Sequence, residues 1–217
     1  MLESFAESIL SQQWGWENVR RDAFQLLAWG YADAEATIRQ EDLEVNITGM
    51  LAGAMDNRLS FAQIPPRFIL YNVKEEAHVN TSGKLGNQRP RIDIVVEHTG
   101  NRPAKKYVFE AKRCAKRYKG GIKWYVKGVE NFLTLDYARN APEASIVGLI
   151  QSDTSVYWRA QLSTQTAKDV ALCCEVHPAS INVIADLPDM VVSTHRRNDT
   201  SLIDLYHVFL DCKKPGT

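Results

Sequence analysis

Three charged residues in two neighbouring segments have the types and spacing that chemistry needs. If Tyr107-Val108-Phe109-Glu110-Ala111-Lys112 is a strand, Tyr107 and Phe109 point to one face and Glu110 and Lys112 to the other. The two charges then lie roughly 7 Å apart at Cα, two rises of a strand. In the preceding segment Ile92, Ile94 and Val96 share one face and Asp93, Val95 and Glu97 the other. The connection HTGNRPAK carries Gly100 and Pro103, turn residues that fold the two segments into a hairpin. Symmetric folding about Asn101 and Arg102 makes paired positions sum to 203, so Asp93 faces Glu110, Val95 faces Val108, and Glu97 meets Lys106 as a cross-strand ion pair. Opposed carboxylates destabilise a sheet unless something offsets the repulsion, and a divalent cation does so. Magnesium takes carboxylate oxygens, keeps several waters and is usually completed by phosphate oxygens. Lys112 beside it could steady an attacking water or a developing phosphorane charge. A plainer reading pairs Glu110 and Lys112 with Lys106 and Glu97 on a solvated strand face, contributing under about 1 kcal/mol.

Charge supports a phosphate-bearing guest. The 26 basic and 26 acidic residues cancel, but Lys105 to Lys127 holds nine basic residues against one acid, Glu110, while residues 1–65 hold ten acids against four arginines. Lys116, Arg117, Lys119, Lys123 and Lys127 are candidates for neutralising phosphates, with Trp124 as a base-stacking candidate and Tyr125 assigned to the core. The alternative is a solvated basic helix face. Cys173, Cys174 and His177 lack the second ligand pair a structural zinc site requires, so the four cysteines read as buried thiols. His195-Arg196-Arg197 reads as part of a polar loop able to touch phosphate. His207 reads as an edge or core histidine, and Ser193 and His195 lack the acid and elbow glycine of a serine hydrolase.

The elements that must position these residues are set by periodicity and breakers. Ser4 to Leu10 and Trp16 to Arg39 read as an N-terminal helical layer, and Asp42 to about Asn57 as a further helix with Leu43, Ile47, Met50, Leu51, Ala54 and Met55 at helical spacing. Strands are expected at Arg67 to Val73, Arg91 to Glu97, Lys106 to Lys112, Ala144 to Ile150, Met190 to Thr194 and Leu202 to Leu210, with a polar loop at Asn80 to Pro90. Helices are expected from Ile122 to about Arg139 and from Thr154 to Thr166. The fold class is therefore α/β, a central mixed β-sheet between helical layers, in a single domain over 1–217. With 45% apolar and 24% charged residues the chain can bury a core. No apolar run approaches the roughly 20 residues of a bilayer span, and the acids of the first 16 residues do not suit a secretory leader, so no membrane association and a cytoplasmic setting are expected.

Asp93, sixteen intervening residues and Glu110-Ala111-Lys112 together resemble the PD-(D/E)xK nuclease superfamily, over about residues 40 to 155. The resemblance implies a restriction-endonuclease-like αβββαβ core at 41–155, between the helical layer at 1–40 and a C-terminal helix and strands at 156–217. It implies that Asp93 and Glu110, with the Ala111 carbonyl, bind Mg²⁺ or Mn²⁺, and that Lys112 positions the hydrolytic water. Glu44 would complete the metal shell from the preceding helix, with Glu41 as a rival. Two departures stand out: Ile92 replaces the motif's proline, with Pro90 displaced, and no recognisable DNA-reading domain is attached. By resemblance the function is nucleic-acid cleavage, DNA favoured, in restriction, anti-phage defence or repair, with a homodimer or a partner protein supplying specificity. The alternative is the same fold as an inactive nucleic-acid-binding or complex-assembling subunit, its acidic N-terminal helices docking a partner.

Overall fold

The computed structural model describes residues 14–78, 91–117, 121–168, 175–187 and 190–214. The expected helix at Ser4 to Leu10 and the loop at Asn80 to Pro90 lie outside them, as do Lys119, Cys173 and Cys174. The chain forms α1 (Trp16–Ala34), α2 (Glu44–Leu59), a 3-10 turn (Pro66–Leu70), β1 (Tyr71–His78), β2 (Arg91–His98), β3 (Lys105–Cys114), α3 (Gly121–Leu133), β4 (Glu143–Ile150), α4 (Ser155–Lys168), β5 (Glu175–Ile181), β6 (Met190–Arg196) and β7 (Leu202–Asp211).

One seven-stranded mixed sheet runs in the order β1-β2-β3-β4-β7-β6-β5. The outer pairs are antiparallel, and β4 pairs in parallel with β3 and β7. All eight residues of β4 are buried, as a central parallel strand covered on both faces requires. On one face α1 and α2 pack Phe24, Leu27, Leu51 and Met55 against Ile94, Val96, Tyr107 and Phe109. On the other, α3 and α4 pack Tyr125, Val129, Phe132, Trp158 and Leu162 against Val95, Val108, Ile146 and Leu205. The α/β class and the sheet between helical layers are therefore as the sequence implies.

Several boundaries differ, each for a local reason. Arg67 to Leu70 is not strand: Pro66 opens a 3-10 turn, and extended backbone begins only at Tyr71. Helix α1 stops at Ala34, not Arg39, where the Thr37 hydroxyl takes the Ala34 carbonyl at 2.7 Å. Helix α3 stops at Leu133 rather than near Arg139, because Leu135 and Ala138 have φ of 64° and 47°, which a right-handed helix excludes. Strand β5 has no counterpart among the expected strands. Its Pro178 speaks against strand, and the element survives as a sheet edge with a register shift between His177 and Ile181. His195 and Arg196 belong to β6, and His195 is fully buried, so the phosphate-touching loop expected there is not formed.

Candidate functional site

The β2–β3 ladder places Ile94 opposite Phe109, Val95 opposite Val108 and Glu97 opposite Lys106, each pair summing to 203 as symmetric folding requires. Lys106 and Lys74 both pair with Glu97, the former at 3.6 Å. The ladder ends at Ile94. Continuing it would set Ala111 against Ile92, but the Ala111 N–H instead donates to Asp93 Oδ2 at 2.7 Å. Ile92 meanwhile packs on the α3 face of the sheet with Val95, away from Ile94 and Val96. The splay between strands is filled by a carboxylate, which satisfies the open main-chain donor and fixes Asp93 beside Glu110.

Lys112 Nζ lies at the centre of the charged cluster. It is 2.8 Å from Glu110 Oε1, 2.9 Å from Glu44 Oε1, 2.5 Å from the Ala111 carbonyl oxygen and 3.9 Å from Asp93 Oδ2. Glu44, the first residue of α2, also accepts the Arg113 N–H through Oε2 at 3.1 Å, whereas Glu41 is exposed and makes no contact with this group. Helix α3 covers the arrangement: a Cβ on Gly128 would stand at ordinary contact distance, 3.4 Å from Lys112 Cγ and Cε and 3.5 Å from Glu110 Cγ, so the helix lies directly over both side chains.

Electrostatics here are governed by burial. Glu110 is pushed up to about 8, first by burial and then by the Asp93 charge, with Lys112 opposing. Asp93 is raised by burial against the pull of Lys112 and the Ala111 N–H. Glu110 Oε2 is buried with no hydrogen-bond partner among the described residues. Lys112 stays charged, since its carboxylate neighbours outweigh the desolvation that would lower it.

A positioning residue escaped the sequence reading. Gln151, fully buried just beyond β4, accepts Arg113 Nε at 2.7 Å and donates to the Asp42 carbonyl at 2.8 Å, while its own carbonyl accepts Gln40 Nε2 at 2.7 Å. These bonds tie the segment leading into α2 to the ends of β3 and β4 and so aim Glu44. A lone glutamine after an apolar run carries no periodic signal that would have marked it. Tyr137, buried against the same carboxylates, donates to the Arg91 carbonyl at 2.6 Å.

The basic candidates divide. Lys123, Trp124 and Lys127 lie together on the outer side of α3, with Trp124 60% exposed, while Tyr125 is fully buried. Lys116 is exposed but bonds Asp153 at 2.5 Å and sits over the Tyr157 ring, and Arg117 donates to the Gln40 carbonyl at 2.7 Å. Cys114 and Cys212 are buried thiols.

Among the described residues no three His, Cys, Asp or Glu side chains converge as a ready metal site, because the carboxylates surround the Lys112 ammonium instead. The donor set nevertheless fits a hard cation: carboxylate and carbonyl oxygens, with the orphaned Glu110 Oε2 among them. Among the described residues no helix is long and apolar enough to cross a membrane. Comparison of the chain with protein-family models, curated proteins and solved structures returns no match.

Proposed function

We propose that the protein is a Mg²⁺- or Mn²⁺-dependent endonuclease of PD-(D/E)xK type that hydrolyses phosphodiester bonds in nucleic acid, DNA foremost. The observation that carries this reading is the meeting of Asp93, Glu110, Glu44 and the Ala111 carbonyl, from β2, β3 and α2, within 3.9 Å of one lysine nitrogen. The element order α2-β1-β2-β3-α3-β4 also matches the αβββαβ order of that core. Asp93, Glu110, Glu44 and the Ala111 carbonyl would hold the cation, which supplies Lewis-acid polarisation of the phosphate and a more acidic bound water. Lys112 donates to the attacking water and to the charge growing on the phosphate. Lys123 and Lys127, joined by Lys116, Arg117 and Lys119, neutralise the backbone, and Trp124 offers a face for a base. A cytoplasmic role in restriction, anti-phage defence or repair, with a second copy or another protein supplying specificity, suits a chain whose described cysteines are free thiols.

One observation favours a second reading. Lys112 gives Glu110 and Glu44 a cationic partner of the chain's own, so the same cluster could serve as a purely structural ion-pair network in a nucleic-acid-binding or assembly subunit. Supercoiled plasmid in Mg²⁺ separates the two. Nicking that is abolished by EDTA and falls at least about 100-fold in Asp93→Ala and Lys112→Ala is expected. Undiminished cleavage by either variant removes the assigned roles, and an inert wild-type chain favours the binding subunit.

A further inference from the structure

We infer that the Lys112 ammonium is the resident counter-ion of the metal-free site, and that a divalent cation binds by displacing it, so that Lys112 holds metal affinity down. This rests on reading the carboxylates as a metal centre, and it adds how that centre is regulated. An ammonium has three donors. Those of Lys112 lie within hydrogen-bond reach of Glu110 Oε1, Glu44 Oε1 and the Ala111 carbonyl, three of the oxygens a hard cation would use. The distances are 2.8, 2.9 and 2.5 Å. Magnesium needs its oxygens at about 2.0–2.1 Å, so it cannot share that position with an ammonium holding the same atoms, and two positive charges would be left in contact.

Two of the three carboxylates do not depend on Lys112 to keep their places. Asp93 is anchored by the Ala111 N–H and Glu44 by the Arg113 N–H, main-chain donors that stay when the ammonium leaves. The methylene stem of Lys112 lies under α3 at Gly128, so displacement requires the ammonium tip to leave its three oxygens while the stem stays covered. Once displaced, the ammonium has donors to offer to water and phosphate, so loading the site and arming Lys112 become one event.

Lys112→Met keeps the stem and deletes the charge. Calorimetric titration with Mn²⁺ at fixed pH is expected to show at least about tenfold tighter binding to Lys112→Met than to wild type. Mn²⁺ should also raise the melting temperature of the variant by more than that of wild type. Lys112→Arg, which keeps the charge, is expected to bind no tighter than wild type. Equal or weaker Mn²⁺ affinity in Lys112→Met, tighter binding by Lys112→Arg, or no Mn²⁺ binding by any of the three proteins overturns the inference. Should Lys112→Met be unfolded without metal, recovery of a cooperative transition on adding Mn²⁺ supports it, and failure to recover counts against it. Failure of the nuclease reading is seen separately, as absence of plasmid cleavage by a wild-type chain that binds Mn²⁺.

Discussion

Gln151 lies outside the carboxylate cluster, and three of its hydrogen bonds show how a buried amide can aim a carboxylate it never touches. Gln151→Leu keeps the approximate volume and loses the two side-chain bonds, to the Asp42 carbonyl and from Arg113 Nε. Stability is expected to fall by about 2–3 kcal/mol in urea unfolding, and nicking to fall by more than the folded fraction explains, because Glu44 is no longer held. His207 belongs to a different buried chain: its Nδ1 meets the Tyr125 hydroxyl at 3.0 Å and its Nε2 the Ser193 hydroxyl at 2.7 Å, and Ser193 reaches His195 Nε2 at 2.6 Å. Burial lowers His207 to about 3. The unfolded chain therefore takes up a proton near pH 6.5 that the folded chain refuses, so the contribution is intact above that pH and is lost as pH falls towards 3, at up to about 1.4 kcal/mol per unit. His207→Gln should be less stable than wild type at pH 7, with the gap in melting temperature narrowing at pH 5; a constant gap would show that His207 does not titrate this way. Glu110 and Lys112 were legible as neighbours because strand alternation puts them on one face, whereas Asp93 joins them beyond the end of the ladder, through the Ala111 N–H, and not by the register the sequence implies. Gln151 and the burial of His195 were not, because both depend on which distant segment arrives beside them.

Each element brings one constraint to the site. Strand β4 carries Gly148, where an added Cβ would fall 2.4 Å from the Phe209 ring of β7 and 3.2 Å from Cys114 Sγ. Phe209 is itself stacked on Tyr125 of α3 at 5.9 Å, so it has little room to yield. Gly148→Ala is expected to destabilise the fold by roughly 1–3 kcal/mol, and Phe209→Leu in the same chain to recover part of that; additive losses in the double-mutant cycle would argue against the clash. The hairpin and β4 were readable as elements because their apolar patterns are long and bounded by breakers. The end of α3 was not readable, since nothing in Asn131 to Arg139 announces that Leu135 and Ala138 take left-handed backbone. Edge strand β5 was hidden by Pro178, which sequence rules weigh against a strand and which a sheet edge tolerates.

Across the whole molecule, zero net charge conceals a division of labour. Part of the acidity of the N-terminal region is used internally: Asp22 is fully buried and accepts Arg67 Nε at 3.0 Å, and Asp33 bonds Arg58. The exposed Lys123 and Lys127 belong to α3, the helix that lies over Lys112 and Glu110 at Gly128. A Lys123→Gln/Lys127→Gln double variant is expected to weaken DNA binding at all sequences alike and to lower the slope of log affinity against log salt by about 2. An unchanged slope would exclude this face from the interface. The fold class was legible from the run of elements, whereas the insertion of β7 between β4 and β6 was not, because parallel pairing leaves no local trace.

That insertion has a consequence for biosynthesis. Strand β4 is apolar on both sides, yet its second neighbour is encoded about fifty residues after Ile150. At roughly 5–20 residues per second of translation, the emerging polypeptide carries a bare, greasy strand margin for several seconds. During that interval the nascent chain is a natural client for a ribosome-bound chaperone, and a ribosome stalled before Leu202 would leave a product prone to coalesce with its siblings.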